Sequence, residues 1–209
     1  NEIDNAYRKS YTANLRLQAQ LSWKITPKVE ASLMGAIRYQ SYIRNTDRTE
    51  KSNEAMSYRE MSNSFIRDSN NNLYKDPNDP FALPSIVLPE GGLRSKREIT
   101  TRSNNFRATI SYNDSFKNGL HLLSLFGGFE MDNTQRSTDS NDNYGVLYNS
   151  GYYSYYSYLL FKKRQEENKN YYSIENTVNN HQAIYGNASY TFKKRYTIDG
   201  TLRYDASNK

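Results

Sequence analysis

The chain has 209 residues, of which 36% are hydrophobic, with a net charge of +6 at pH 7, 20 Tyr and no Cys. The lack of Cys excludes disulfide and zinc–thiolate chemistry, and no stretch approaches the ~18 consecutive apolar residues that a spanning helix needs. Lys and Arg are scattered singly among Asp and Glu. This pattern favours solvated strands and loops, so we expect no nucleic-acid partner.

The first predicted element is a long hairpin. Apolar residues occupy alternate positions from Tyr11 to Ile25, which is fifteen residues without a break in a period of two. Soluble strands average about 5–6 residues, whereas about 9–11 cross a bilayer at a tilt. Pro27 cannot donate to a ladder and predicts a turn, after which the alternation resumes at Val29. We predict strands over about 11–25 and 29–43.

The alternation disappears over residues 44–101. This segment is rich in Asn, Asp, Ser and Pro, with turn signals such as Asp76-Pro77 and Pro89-Glu90-Gly91-Gly92. A segment of this length without regular structure is unusual in a compact domain. In a membrane barrel it is expected as an extracellular loop.

Two further hairpins follow. Strands are predicted over about 102–114 and 120–132, with a turn at Asn118-Gly119, although both faces of the second strand are apolar and its outward face stays open. A second extracellular loop is predicted over about 133–179. Strict alternation then returns in strands over about 180–192 and 196–206, separated by Lys193-Lys194-Arg195.

The six strands have short turns at one end and long loops at the other. Aromatic residues lie beside every short turn: Trp23, Tyr112, Phe116, Tyr190, Phe192 and Tyr196. Segregated loop lengths and an aromatic belt are typical of outer-membrane barrels. We therefore predict an all-β chain that forms a segment of a transmembrane antiparallel β-barrel in the outer membrane of a Gram-negative bacterium.

The final hairpin resembles a known family. The run from Ala183 to Asn208 is similar to the mid-barrel hairpin of SusC/RagA-type TonB-dependent outer-membrane transporters, which carry Y-x-N-x-x-Y followed by Y-x-L-x-x-S-L-R-x-D-x-S. Asn14-Leu15-Arg16, Pro89-Glu90-Gly91-Gly92-Leu93 and Phe106-Arg107-Ala108 resemble the same family in the expected order. The resemblance spans nearly the whole chain.

The resemblance implies a barrel of about 22 strands with an N-terminal plug, of which this chain would supply about six strands. The plug and the segment that contacts the TonB complex are expected in a part of the protein outside this sequence. A surface lipoprotein of the SusD type would capture an oligosaccharide or a peptide and release it into the barrel, and lipid would surround the wall.

Two groups of residues are candidate functional positions. Charged residues on the polar face are predicted to face the lumen and the plug: Arg16, Arg38, Arg107, Asp199, Arg203 and Asp205. Tyrosines in the second loop are predicted either to contact a sugar or a partner, or to pack the loop on its neighbours: Tyr152, Tyr153, Tyr155, Tyr156 and Tyr158. Tyr suits recognition because it offers a large contact area at a small entropic cost.

No catalytic or metal motif is found. His121 and His181 lack metal spacing, Glu166 and Glu167 point to opposite sides if they lie on a strand, and Asp199 lies roughly 20 Å along the strand from Asp205. We therefore expect neither an enzyme nor a cofactor.

Calcium in the loops is the open alternative for a bound ion. Residues 68–72 and 139–143 imitate the start of a calcium loop but lack its Gly and its Glu. The open alternatives for function are a secreted soluble β-domain that binds glycan through its tyrosines, and a passive outer-membrane porin or adhesin.

Overall fold

The chain folds into an antiparallel sheet with short helices in its long connections. The structure is a computed structural model that describes residues 2–208. Its strands are β1 (Ala6–Thr26), β2 (Val29–Arg48), β3 (Gly92–Phe116), β4 (His121–Leu147), β5 (Tyr152–Tyr153), β6 (Tyr172–Phe192) and β7 (Tyr196–Asn208). Its helices are α1 (Glu2–Asn5), α2 (Asn53–Ser57), α3 (Ser64–Ser69) and α4 (Tyr158–Glu166).

The sheet follows the order of the chain. Six strands pair in the order β1-β2-β3-β4-β6-β7, and the two-residue β5 pairs with the end of β4. This arrangement confirms the predicted all-β antiparallel fold class. Within residues 2–208, no helix has the length and apolar character needed to cross a membrane.

Side-chain contacts identify a polar face on β2, β3, β4, β6 and β7. The Oγ atom of Ser32 lies 3.2 Å from Oγ1 of Thr109, and Ser124 donates to Asn113 Oδ1 over 2.7 Å. Tyr185 is the register partner of Arg203. Because successive side chains on a strand alternate in direction, these pairs assign a common polar face to the strands that carry them.

The same contacts settle the orientation of β4, which the sequence left open. Ser124 and Glu130 contact Asn113 and Arg107 on the neighbouring strand β3, so the even-numbered residues of β4 share the polar face. Leu125 and Met131 lie on the other face and remain substantially exposed.

The strands are longer than the sequence indicates. Strand β3 begins at Gly92 rather than near residue 102, β4 ends at Leu147 rather than near 132, and β6 begins at Tyr172 rather than near 180. The predicted loop boundaries at 44–101 and 133–179 are therefore wrong, and the connections run over 49–91 and 148–171. Backbone hydrogen bonds extend a ladder whatever the side chains are, so the polar ends of strands leave no apolar pattern to detect.

The connections also contain helices, contrary to the expectation of structureless loops. Each of three helices begins at a residue whose side chain accepts a backbone N–H: Ser52 before α2, Asn63 before α3 and Ser157 before α4. Such caps satisfy amide groups that a helix leaves unpaired in its first turn. The helices have 5, 6 and 9 residues, too few to show a helical period in the sequence.

The chain divides into two compact units. The long-loop unit comprises the chain up to Thr12, Ser41–Ile99 and Thr138–Glu175, and the strand unit comprises Ala13–Gln40, Thr100–Ser137 and the chain from Asn176. In the described part of the strand unit, Ala183 is the one residue that is buried. This unit is therefore a single layer of sheet.

The long-loop unit has a hydrophobic core. Its buried residues are Ala55, Tyr58, Tyr74, Val87, Leu88, Leu93, Tyr144 and Leu160. Arg59 holds the connection against this core by donating from Nη2 to the carbonyl oxygens of Pro89 and Gly91, over 2.6 and 2.8 Å. Gly91 has a φ of +104°, and a Cβ there would lie 2.6 Å from the Val146 carbonyl oxygen, so only glycine fits.

We expect Leu160→Ala to destabilise the long-loop unit by about 2–5 kcal/mol, because Leu160 is fully buried and its loss leaves a cavity. Leu159→Ala is the matched control, since Leu159 is 40% exposed. Limited proteolysis of residues 148–171 in the full-length protein measures the difference. Equal cleavage rates in the two variants would contradict the proposed core.

Candidate functional site

A charge cluster lies on the polar face of the strand unit, with Glu130 at its centre. Arg203 Nη2 lies 2.6 Å from one carboxylate oxygen of Glu130, and Arg107 Nη2 lies 3.1 Å from the other. The Arg203 guanidinium also donates to both oxygens of Asp205, over 2.8 and 2.9 Å. Three of the residues predicted at the lumen, Arg107 on β3 and Arg203 and Asp205 on β7, are thus brought together by Glu130 on β4.

Glu130 was missed by the sequence reasoning because it lies in the stretch where both faces are apolar. Its side chain is only 13% exposed, and it lies between Phe129 and Met131. A lone carboxylate in such an apolar run was the available signal. Buried charges are usually paired, so Glu130 required cationic neighbours.

His181 extends this cluster. Its Nε2 lies 3.0 Å from Asp205 Oδ1, and its Nδ1 lies 3.9 Å from Asp132 Oδ2. The histidine thus links two carboxylates of the polar face.

The remaining candidates of the polar face lie outside the cluster. Arg16 donates to Gln18 over 3.1 Å, and Arg38 donates to Asn14 and Gln40. Both arginines line a hollow of about 250 Å³ that also has Asp132 in its wall.

Asp199 is separate from both arginines and from the charge cluster. Asp199 lies six residues before Asp205 along β7. Its register partner on β6 is Ser189.

Large apolar side chains are exposed on the opposite face of the strand unit. Those with more than half of their area exposed include Leu15, Leu17, Leu21, Trp23, Ile37, Ile110, Ile184, Tyr196, Ile198, Leu202 and Tyr204. A contiguous apolar face of this kind marks a surface that meets lipid or a partner. Near the short turns the face includes an aromatic group, in which His121 Nδ1 lies 2.6 Å from Tyr190 Oη and the His121 ring packs against Phe192.

A buried polar network lies in the long-loop unit. Asp47 is 2% exposed and accepts from Arg94 Nε over 2.5 Å. Tyr148 Oη lies 3.1 Å from the same Asp47 oxygen and 2.6 Å from the Leu93 carbonyl oxygen. Burial, and then the adjacent Asp47 carboxylate, raise the pKa of Tyr148 above its usual value.

The loop tyrosines are largely exposed. Tyr153 stacks on Tyr156 with ring centroids 6.5 Å apart, and Tyr156 also contacts Phe161. Tyr152, Tyr155, Tyr156 and Tyr158 are nevertheless each more than 60% exposed. These four side chains are therefore accessible to a ligand or a partner, and Tyr156 also packs within the connection.

One calcium-like segment begins at the end of α3 and continues into a turn, and the other lies within a strand. Asp68 pairs with Arg67 at the end of α3, and Asn70 donates to the carbonyl oxygens of Ser57 and Glu60. Residues 139–143 lie within β4. Over residues 2–208, no three side chains of His, Asp or Glu are grouped to hold a metal ion.

The paired glutamates of the second connection contact lysines. Glu166 lies 3.9 Å from Lys162, and Glu167 pairs with Lys163 and Lys169.

The chain is an all-β antiparallel sheet whose fold is similar to that of a β-barrel segment of outer-membrane transporters. Solved structures of the RagAB peptide importer in its open-open and closed-closed states, and of the RagAB peptide transporter, share the fold with TM-scores of 0.65, 0.66 and 0.66. Sequence identity to these structures is 13–14%. Each match covers 98% of the present chain and 18% of the matched transporter chain. No family model and no curated protein matches the chain.

The raised pKa of Tyr148 predicts a specific pH dependence. The folded state keeps the phenol proton of Tyr148 to a higher pH than the unfolded state does. The contribution of the protonated Tyr148 to the free energy of unfolding is therefore complete below the ordinary Tyr pKa of about 10, and it is lost as the pH rises above that value. Subtilisin cleavage of residues 148–171 should therefore stay constant up to about pH 10 and be faster at about pH 11. Tyr148→Phe should cleave faster at the lower pH and show a weaker increase, and identical pH profiles would contradict the buried network.

Proposed function

We propose that this chain is part of the barrel wall of an outer-membrane importer for peptides or oligosaccharides in a Gram-negative bacterium. The observation that supports this most directly is the likeness of fold over 98% of the chain to the RagAB peptide importer. In the proposal, the TonB complex energises uptake through another part of the protein. A surface lipoprotein of the SusD type delivers the cargo.

The two faces of the sheet have distinct roles in this proposal. The exposed apolar face meets lipid, since an uncovered hydrophobic band would be unstable in water. The polar face meets the lumen and the plug, where Arg107, Arg203 and Asp205 hold the plug through ion pairs organised by Glu130. Charge-assisted hydrogen bonds are shorter and stronger than neutral ones, so such a cluster can hold a plug and can rearrange when the plug moves.

The long-loop unit has the role of receiving the cargo and the lipoprotein. Its hydrophobic core and helix caps give the connections a fixed shape. Tyr152, Tyr155 and Tyr158 are exposed on this unit and form the contact surface in the proposal. Aromatic side chains with few torsions lose little entropy when they bind.

The proposed role is transport rather than catalysis, and it requires no cofactor. Glu166 and Glu167 are engaged by lysines, and Asp199 is distant along its strand from Asp205. A pair of carboxylates at glycosidase spacing would place both groups about 5–10 Å apart around a bond to be cleaved. Neither pair suits that chemistry.

Substitutions on opposite faces of β7 test the assignment of lipid and lumen. Leu202→Arg should destabilise the barrel by about 2–4 kcal/mol, because an arginine on the lipid face near the midplane is poorly solvated. Thr201→Arg, one residue away on the polar face, should cost less. Urea titration of the full-length protein refolded into vesicles measures both, and equal losses would contradict the assignment.

Energised uptake is the test that separates an importer from a passive porin. Cells that produce the full-length protein should accumulate a fluorescent peptide or oligosaccharide, and an uncoupler of the proton gradient should abolish accumulation. Deletion of the protein is the matched control. Uptake that persists with the uncoupler would support a porin, and a soluble secreted product would exclude both.

A further inference from the structure

The long-loop unit contains a polar hollow in whose wall two arginines, Arg44 and Arg97, form no ion pair within residues 2–208. The hollow has a volume of about 230 Å³, and its wall includes residues of β2, β3, β4 and β6 together with the residues that precede β6. Its lining includes Arg44, Thr46, Ser95, Arg97, Asp142 and Tyr171. The volume is several times the ~30 Å³ share of one water molecule in the liquid, so a small organic group fits.

Four of the lining residues lie on one face of the sheet. Arg44 and Thr46 are two residues apart on β2, and Ser95 and Arg97 are two residues apart on β3, so each pair shares a face. Arg48, which is on the same face of β2 as Arg44 and Thr46, donates to Ser95 of β3 over 3.2 Å. The two pairs therefore lie on the same face of the sheet. The hollow is therefore built by the regular alternation of the strands.

Some charged residues in the wall of the hollow form ion pairs and others do not. Lys96 in the same wall pairs with Glu98 over 2.8 Å, and Asp142 faces Arg164 at 3.7 Å. Within residues 2–208, the side chains of Arg44 and Arg97 form no ion pair; Arg44 is half-buried and Arg97 is exposed. Two guanidinium groups of the wall thus have no salt-bridge partner in the described chain.

We propose that this hollow binds a carboxylate carried by the cargo. Arg presents a planar fork of donors that matches a carboxylate in a bidentate way, and the hydroxyl groups of Thr46, Ser95 and Tyr171 supply further donors. The carboxylate is the C-terminal or acidic side-chain group of a peptide, or the uronate group of an oligosaccharide. This inference rests on the proposed importer function and specifies the chemistry of its cargo.

Arginine protection tests the hollow without requiring transport. The full-length protein in detergent is treated with phenylglyoxal, with and without succinate as a dicarboxylate probe, and modified peptides are quantified by mass spectrometry. Succinate should slow modification of Arg44 and Arg97 several-fold, and added salt should remove the protection. Arg195, an exposed residue of the β6–β7 turn, is the internal control and should react equally in both samples.

Two results of that experiment would overturn the inference. Equal rates with and without succinate would show that the hollow binds no carboxylate. Arginines that remain unreactive even without succinate would show that the hollow is closed to small ligands in the full-length protein.

Uptake by a charge-removing variant identifies the source of the carboxylate. The measured preference is the ratio of uptake of a peptide with a free C-terminus to uptake of its C-terminal amide. This ratio should be about tenfold lower in the double variant Arg44→Gln, Arg97→Gln than in the wild type. A parallel comparison of a trigalacturonate with a neutral trisaccharide assigns the site to uronates instead. Arg195→Gln should leave both preferences unchanged.

The outcomes of this second experiment separate the two proposals. The hollow is supported as a carboxylate site if the wild type and the double variant take up neutral cargo at the same rate and only the double variant loses the preference for cargo with a carboxylate. An equal fall in uptake of charged and neutral cargo overturns it. If no cargo enters at all, the importer function fails, while the succinate protection still decides whether the hollow binds a carboxylate.

Discussion

Hydrogen bonding of the backbone is the constraint on which the rest of the fold depends. An unsatisfied N–H or C=O group in hydrocarbon costs several kcal/mol, so strands that meet lipid must be paired along their length. The six long strands satisfy each other in sequence order from β1 to β7. Strands β1 and β7 each have one neighbour in this order, and in a bilayer their other edges would require further strands.

Once the backbone is paired, alternation alone separates two chemistries on one sheet. Leu202 is exposed on the apolar face, whereas its neighbour Arg203 joins Glu130 and Asp205 on the polar face. A shift of register by one residue would exchange these faces. The ion pairs therefore reinforce the register that the apolar face requires.

The sequence predicted the fold well where the period of two was strong, and poorly elsewhere. The centres of β1 and β7 are visible as alternating residues, but the polar ends of β3 and β4 are not, because a ladder needs no apolar side chains. Half of the candidate site was also predictable. Arg107, Arg203 and Asp205 could be assigned to one face by counting, but their convergence on Glu130 depends on pairing between strands far apart in sequence.

Long-range contacts explain what the sequence could not supply in the long-loop unit. Asp47 pairs with Arg94 across 47 positions and contacts Tyr148 across 101. No local pattern encodes such a network. Its members come from two strands and a turn, so its existence depends on the register of the sheet.

The presence of a core in the long-loop unit has a functional consequence. Ordering a residue costs about 1–2 kcal/mol of backbone entropy, so connections of this length stay flexible unless they bury apolar surface. Leu160 and Ala55 are fully buried, and helix caps satisfy the amide groups around them. Tyr152 and Tyr155 are consequently presented on an ordered surface. Binding to such a surface does not need to include the cost of ordering the loop, so in the proposed importer these tyrosines would bind cargo at a smaller entropic cost.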